Sequence, residues 1–104
     1  MKVQINTDKN ISGSEELTTS LTSLVSEGLS RYDDQISRLE VHLSDEDGNK
    51  DGLNDKRCML EARVEGRQPI AVTHHAGTHE EAVIGAIGKL KSSLKTIHGR
   101  LTNH

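Results

Sequence analysis

The side chains able to do chemistry in this 104-residue chain gather in four places. Near the C-terminus stand Lys89, Lys91, Lys95 and Arg100, with His98 among them, and no acidic residue follows Ala82. The first 81 residues hold nine Lys or Arg against sixteen Asp or Glu, so a basic end is set on an acidic body. A row of ammonium and guanidinium groups offers neutralisation of phosphate. On charge alone a second reading stays open: basic residues in the last turns of a helix complement its dipole and keep an exposed face soluble.

The other three places carry weaker chemistry. His74, His75 and His79 have a spacing at which imidazoles can share a divalent metal, but only the adjacent Glu80 is near in sequence to complete a set. If a strand runs through them, His74 and His75 point to opposite faces, so they read as loop and capping histidines and no metal is assigned. Asp47, Asn49, Asp51 and Gly52 match the first half of a calcium loop, with Asp55 at its ninth position. The twelfth position is Cys58 where a carboxylate is needed, so a solvated acidic turn is expected. Cys58 itself falls at an inward strand position, where a buried inert thiol is the default. Nothing resembles a nucleophile with its base and orienting acid. Gly85 and Gly88 lie inside a helical pattern, as close-packing sites and not as a phosphate loop. No enzyme activity, cofactor or small-molecule substrate is expected.

The element that must position the basic residues is a helix over 78–101. Val83, Ile87, Leu90, Leu94, Ile97 and Leu101 recur at steps of four and three, which puts them on one helical stripe. Thr78 followed by Glu81 forms a capping box, and Glu80 adds a second acid at the positive end of the dipole. Such a helix is about 36 Å long. On a helical wheel Lys91, Lys95 and His98 line one flank of the apolar stripe, with Lys89 and Arg100 on the outer face.

Upstream, residues 2–6 alternate as a short strand with Val3 and Ile5 inward. Ser12 and Glu15 form another capping box before a helix carrying Leu17, Leu21, Leu24, Val25, Leu29 and Tyr32, which ends near Tyr32. Residues 36–44 alternate with Leu39, Val41 and Leu43 on one face and Arg38, Glu40 and His42 on the other. After an acidic, glycine-containing loop at 45–55, residues 56–65 alternate with Cys58, Leu60, Ala62 and Val64 inward and Arg57 and Arg63 outward. GRQP is a turn holding Arg67, and Ile70–Thr73 is a fourth strand with Pro69 at its start. The order β-α-β-β-β-α predicts an α+β domain spanning 1–104. Its four-stranded mixed sheet has the first two strands parallel through a right-handed crossover and the rest an antiparallel meander. Each strand has one apolar face, so both helices pack on the same side.

Composition narrows the partners. There is no Phe or Trp and Tyr32 is the single aromatic, which removes base stacking as a binding device. A net charge of −3 argues against a general nucleic-acid binder and an anionic membrane surface. No apolar run approaches the length of a membrane span or signal segment, and one unpaired cysteine suits a reducing compartment. A cytoplasmic protein is expected.

With these elements placed, the strand DKRCMLEARVEG leading into RQPIAVTHHA, and above all THEEAVIGAIGKLKSSL, resemble the short form of the ribosome hibernation factor family, which includes the hibernation-promoting factors, ribosome-associated inhibitors and sigma-54 modulation proteins. The resemblance runs from about Val3 to Leu101. It implies a non-enzymatic protein that binds the small ribosomal subunit and the 70S ribosome in the mRNA and tRNA channel, contacting rRNA and inhibiting translation under stress. Carried over by position, the rRNA-binding residues are Lys89, Lys91, Lys95, His98 and Arg100, with Arg57, Arg63 and Arg67 as further contacts. Ser92, Ser93 and Thr96 depart from the family pattern, standing where basic residues are common. The alternative is a protein-interaction module of the same fold that makes no direct rRNA contact.

Overall fold

A computed structural model describes residues 1–8, 15–45 and 55–102, the last five of these by their backbone alone. The elements are β1 (Lys2–Thr7), α1 (Glu15–Gly28), a 3-10 turn (Ser30–Tyr32), β2 (Ile36–Asp45), β3 (Lys56–Val64), β4 (Ile70–Ala76) and α2 (His79–Thr102). The strands form one sheet in the order β1-β2-β3-β4. β1 runs parallel to β2, with Val3 opposite Leu39, and β2, β3 and β4 form the antiparallel meander. The parallel pair is joined through α1, as a crossover requires.

The inward residues of the strands and the apolar stripes of both helices close one core. Leu21 and Val25 of α1, Leu39, Val41 and Leu60 of the sheet, and Val83, Leu90 and Leu94 of α2 are buried. Fully burying such a side chain contributes about 1.5–3 kcal/mol, so without Phe or Trp the fold relies on many aliphatic contributions of similar size. α2 packs over β3 and β4, and α1 packs against β1 and α2, so both helices lie on the same face. A Cβ on Gly28 would stand 3.0 Å from Ile87 Cγ2, so this glycine sets the approach of the two helices.

Three local features differ from the sequence expectation. α1 stops at Gly28, and the tighter 3-10 turn that follows still buries Leu29 and Tyr32. Tyr32 N–H donates to the Leu29 carbonyl at 2.9 Å, so both side chains reach the core from a 3-10 turn and not from a further turn of α1. Register shifts between Ile36 and Arg38, and this bulge lets Ile36 enter the core out of phase with Leu39 and Val41. β4 runs three residues past Thr73, because His74, His75 and Ala76 pair with Cys58, Arg57 and Lys56 of β3. The GRQP turn is present, with Gly66 at φ +76°, a left-handed conformation that glycine adopts without strain. The Ser12 cap and the 46–54 part of the acidic loop lie outside the described residues.

Candidate nucleic-acid interface

α2 starts where Thr78 caps it: the Glu81 N–H donates to Thr78 Oγ1 at 3.1 Å, and the Ala82 N–H to the Thr78 carbonyl at 3.0 Å. That fixed start and the buried stripe through Leu94 set the rotation of the helix, and Lys91 and Lys95 emerge exposed. Four residues apart, they stand one turn apart on one flank, separated by about 6 Å along the axis. The helix backbone continues through His98 and Arg100 to Thr102, and the side chains of those two residues lie outside the described set. Lys89 is exposed, as its helical angle implies, and its side chain also reaches the edge of the sheet, donating from Nζ to the Thr73 carbonyl at 2.7 Å.

The arginines do not join Lys91 and Lys95. Arg57 and Arg63 alternate with the buried Cys58, Leu60 and Ala62, so they stand on the sheet face away from both helices. Register sorts that open face into bands. Lys2, Arg38 and Arg63 lie side by side across β1, β2 and β3; the next row is Gln4, Glu40 and Glu61. Asn6, His42, Met59 and Thr73 follow, and then Ser44, Arg57 and His75. Rows two residues apart are separated by about 7 Å, which puts the Arg63 and Arg57 bands about 20 Å apart. Arg38 donates from Nη2 to Gln4 Oε1 and lies 3.5 Å from Glu40 Oε1, which holds its guanidinium over the boundary between basic and acidic rows. Lys2 and Arg38 are absent from the sequence-derived candidates; only the inter-strand register places them beside Arg63. Arg67, exposed in the β3–β4 turn, lines a cleft of about 510 Å³ with Leu94 and Ile97 of α2, alongside Asp34 and Glu65.

The histidines are dispersed. His74 faces inward, opposite Cys58, and lies against the backbone of α2 at Gly85, while His75 faces outward opposite Arg57. His79 opens α2. Among the described residues no group of three or more His, Cys, Asp or Glu is placed to hold a metal ion. Burial pushes the Cys58 thiol up to about 12, with Arg57 opposing weakly, so it stays protonated and inert at neutral pH.

The ends of the acidic loop are not solvated. Asp45 and Asp55 are both buried, and Lys56 Nζ donates to Asp45 Oδ2 at 2.8 Å and to Asp55 Oδ2 at 3.1 Å. The Lys56 ammonium holds the Asp45 carboxyl below the usual carboxylate range, and Asp45 in turn raises Lys56. Asp55 therefore serves a clamp across the base of the loop, and the other residues of the calcium-like pattern lie outside the described residues. Of the two glycines read as close-packing sites, Gly85 is one; a Cβ on Gly88 would meet nothing within 4 Å, so no described part of its own chain uses that space.

What these surfaces can do is bind anions by charge, with Lys91 and Lys95 the exposed basic pair on a rigid element. Among solved structures the fold is similar to the N-terminal domain of Protein Y from Thermus thermophilus, at 18% identity and a TM-score of 0.71, covering 93% of this chain and 99% of that one. It is also similar to a ribosomal subunit interface protein from Coxiella burnetii, at 17% identity and a TM-score of 0.70, covering 95% and 99%. No curated protein matches the chain in sequence. The model of one family, described as sigma 54 modulation protein / S30EA ribosomal protein, matches residues 4–102. With nearly its whole length so matched, the chain belongs to the sigma 54 modulation protein / S30EA ribosomal protein family.

Proposed function

We propose that this protein is a ribosome-associated translation inhibitor that acts in the cytoplasm under stress, occupying the mRNA and tRNA channel of the small subunit through contacts to rRNA. The observation that carries the reading is the family match over 4–102. The exposed Lys91 and Lys95 on α2, on a helix with no acid after Glu81, give it a physical means. Their ammonium groups neutralise rRNA phosphates, while the sheet fills space; inhibition needs no bond making or breaking. Tyr32 is the single aromatic and is buried, so recognition runs through backbone charge and shape and not through stacked bases. The extra basic bands on the open sheet face, with Arg57 and Arg63, are a second surface for the same partner.

The test is sucrose-gradient sedimentation of lysate with the protein followed across fractions. Co-migration with 30S or 70S particles at low salt, abolished at high salt, is the expected result. A protein that stays at the top of the gradient at every salt concentration overturns the proposal.

A further inference from the structure

Four residues of α2 form a pattern that the fold itself leaves unused. Glu81, Ile84, Gly88 and Lys91 are spaced by three, four and three residues, so they share one stripe of the helix. All four are exposed. Ile84 is 55% exposed and is the exposed large apolar side chain among the described residues. It rims a cavity of about 330 Å³ with Leu24, Glu27, Gly28 and Ile87, where α1 meets α2. Gly88 is a poor helix former beside alanine, and nothing described in the chain comes near enough to exploit its missing side chain. Gly85, by contrast, makes room for His74.

Set against its own reverse, this stripe complements itself. Lay a second α2 antiparallel on the first: Glu81 then faces Lys91 of the other copy, and Ile84 faces Gly88. The two-fold axis repeats both pairings, giving two apolar knobs in two glycine gaps, flanked by two opposite-charge pairs. Antiparallel helix dipoles add to the attraction. A parallel pairing has none of this, since it sets Glu81 against Glu81 and Lys91 against Lys91.

From this geometry we infer that α2 is a self-association face, through which two copies of this chain pair antiparallel about Ile84 and Gly88. The patch is one helix wide, which places the contact among weak, reversible interfaces. The inference does not rest on the ribosomal reading, but it bears on it. Lys91 belongs to both surfaces, so a paired molecule withholds it from phosphate, and self-association competes with RNA at high protein concentration.

The experiment is sedimentation equilibrium of the purified chain, without ribosomes, from about 10 µM to about 1 mM. The mean mass is expected to rise with concentration from 11.4 kDa toward twice that value. Gly88→Leu fills the gap from outside without a clash inside the fold, so it is expected to weaken pairing at least tenfold while melting no lower than the parent. Glu81→Lys and Lys91→Glu each place like charges across the axis and are expected to be monomeric alone. Mixed one to one they restore both opposite-charge pairs and pair again. A parent that stays at 11.4 kDa throughout overturns the inference. So does pairing that survives Gly88→Leu, or a mixture of the two charge variants that remains monomeric.

Discussion

His74 occupies the space that a side chain at position 85 would need: a Cβ on Gly85 would run into His74 Cδ2 and lie 2.5 Å from its Cγ. The ring is anchored in β4 close to its backbone and cannot retreat by a simple tip rotation. Gly85→Ala is therefore expected to destabilise the fold by about 1–3 kcal/mol through overpacking, despite a gain in helix propensity. Adding His74→Ala should recover most of that loss. Urea denaturation of the two single variants and the double variant closes the cycle, and additive losses would contradict the contact.

Position 88 should behave in the opposite way. With open space where its Cβ would be, Gly88→Ala is expected to stabilise the chain by up to about 1 kcal/mol. Thermal melts at low protein concentration, where only the monomer is present, check this.

The Lys56 clamp predicts a pH dependence. Asp45 has its pKa lowered in the folded protein by the Lys56 ammonium, so this contribution to stability is present above the unfolded carboxyl pKa of about 3.9. It is lost as pH falls through the lower folded value. Lys56 is raised, so its contribution holds below its ordinary pKa and is lost as pH rises through the folded one. Lys56→Met should lower the melting temperature at pH 7 and leave a shallower dependence on pH in both limits. A melting profile parallel to that of the parent from pH 2 to pH 7 would show that the clamp is not responsible.

For the ribosomal reading, Lys91→Glu with Lys95→Glu is expected to keep the circular dichroism spectrum and to abolish co-sedimentation with ribosomes. Removing one phosphate-binding ammonium makes the slope of log K against log salt shallower by about 0.7–0.9. Lys89→Met should do less to binding, because the Lys89 ammonium already serves the Thr73 carbonyl. Equal weakening by both changes would mean that Lys89 leaves β4 when RNA arrives.

Much of this architecture is legible in the sequence because one-face burial leaves a periodic trace. The alternation around Leu39, Val41 and Leu43, and the four-three spacing from Val83 to Leu94, fix strand, helix and the inward face together. What the sequence leaves out depends on pairs distant in the chain. Nothing near Lys2 announces that Arg38 and Arg63 will stand beside it, since that row exists only once the parallel and antiparallel registers are combined. The end of β4 is hidden for a related reason: two histidines do not look apolar, yet β3 pairs with them, and the missing side chain of Gly85 makes room for one ring. Asp55 reads as a solvated loop charge because only the return of Asp45 to the same spot shows that the two carboxylates are buried together against Lys56.

The bond from Lys89 to Thr73 also bears on how this protein survives at high concentration. β4 is an outer strand of an open sheet, and an uncovered outer strand is a template on which other chains can add and grow into insoluble β-structure. By taking the Thr73 carbonyl, Lys89 removes one acceptor from that template and lays a charge across the approach. A lysine that looks like part of an RNA footprint is thus also placed to oppose strand addition at β4, and Lys89→Met is expected to lower the solubility of the chain at high concentration.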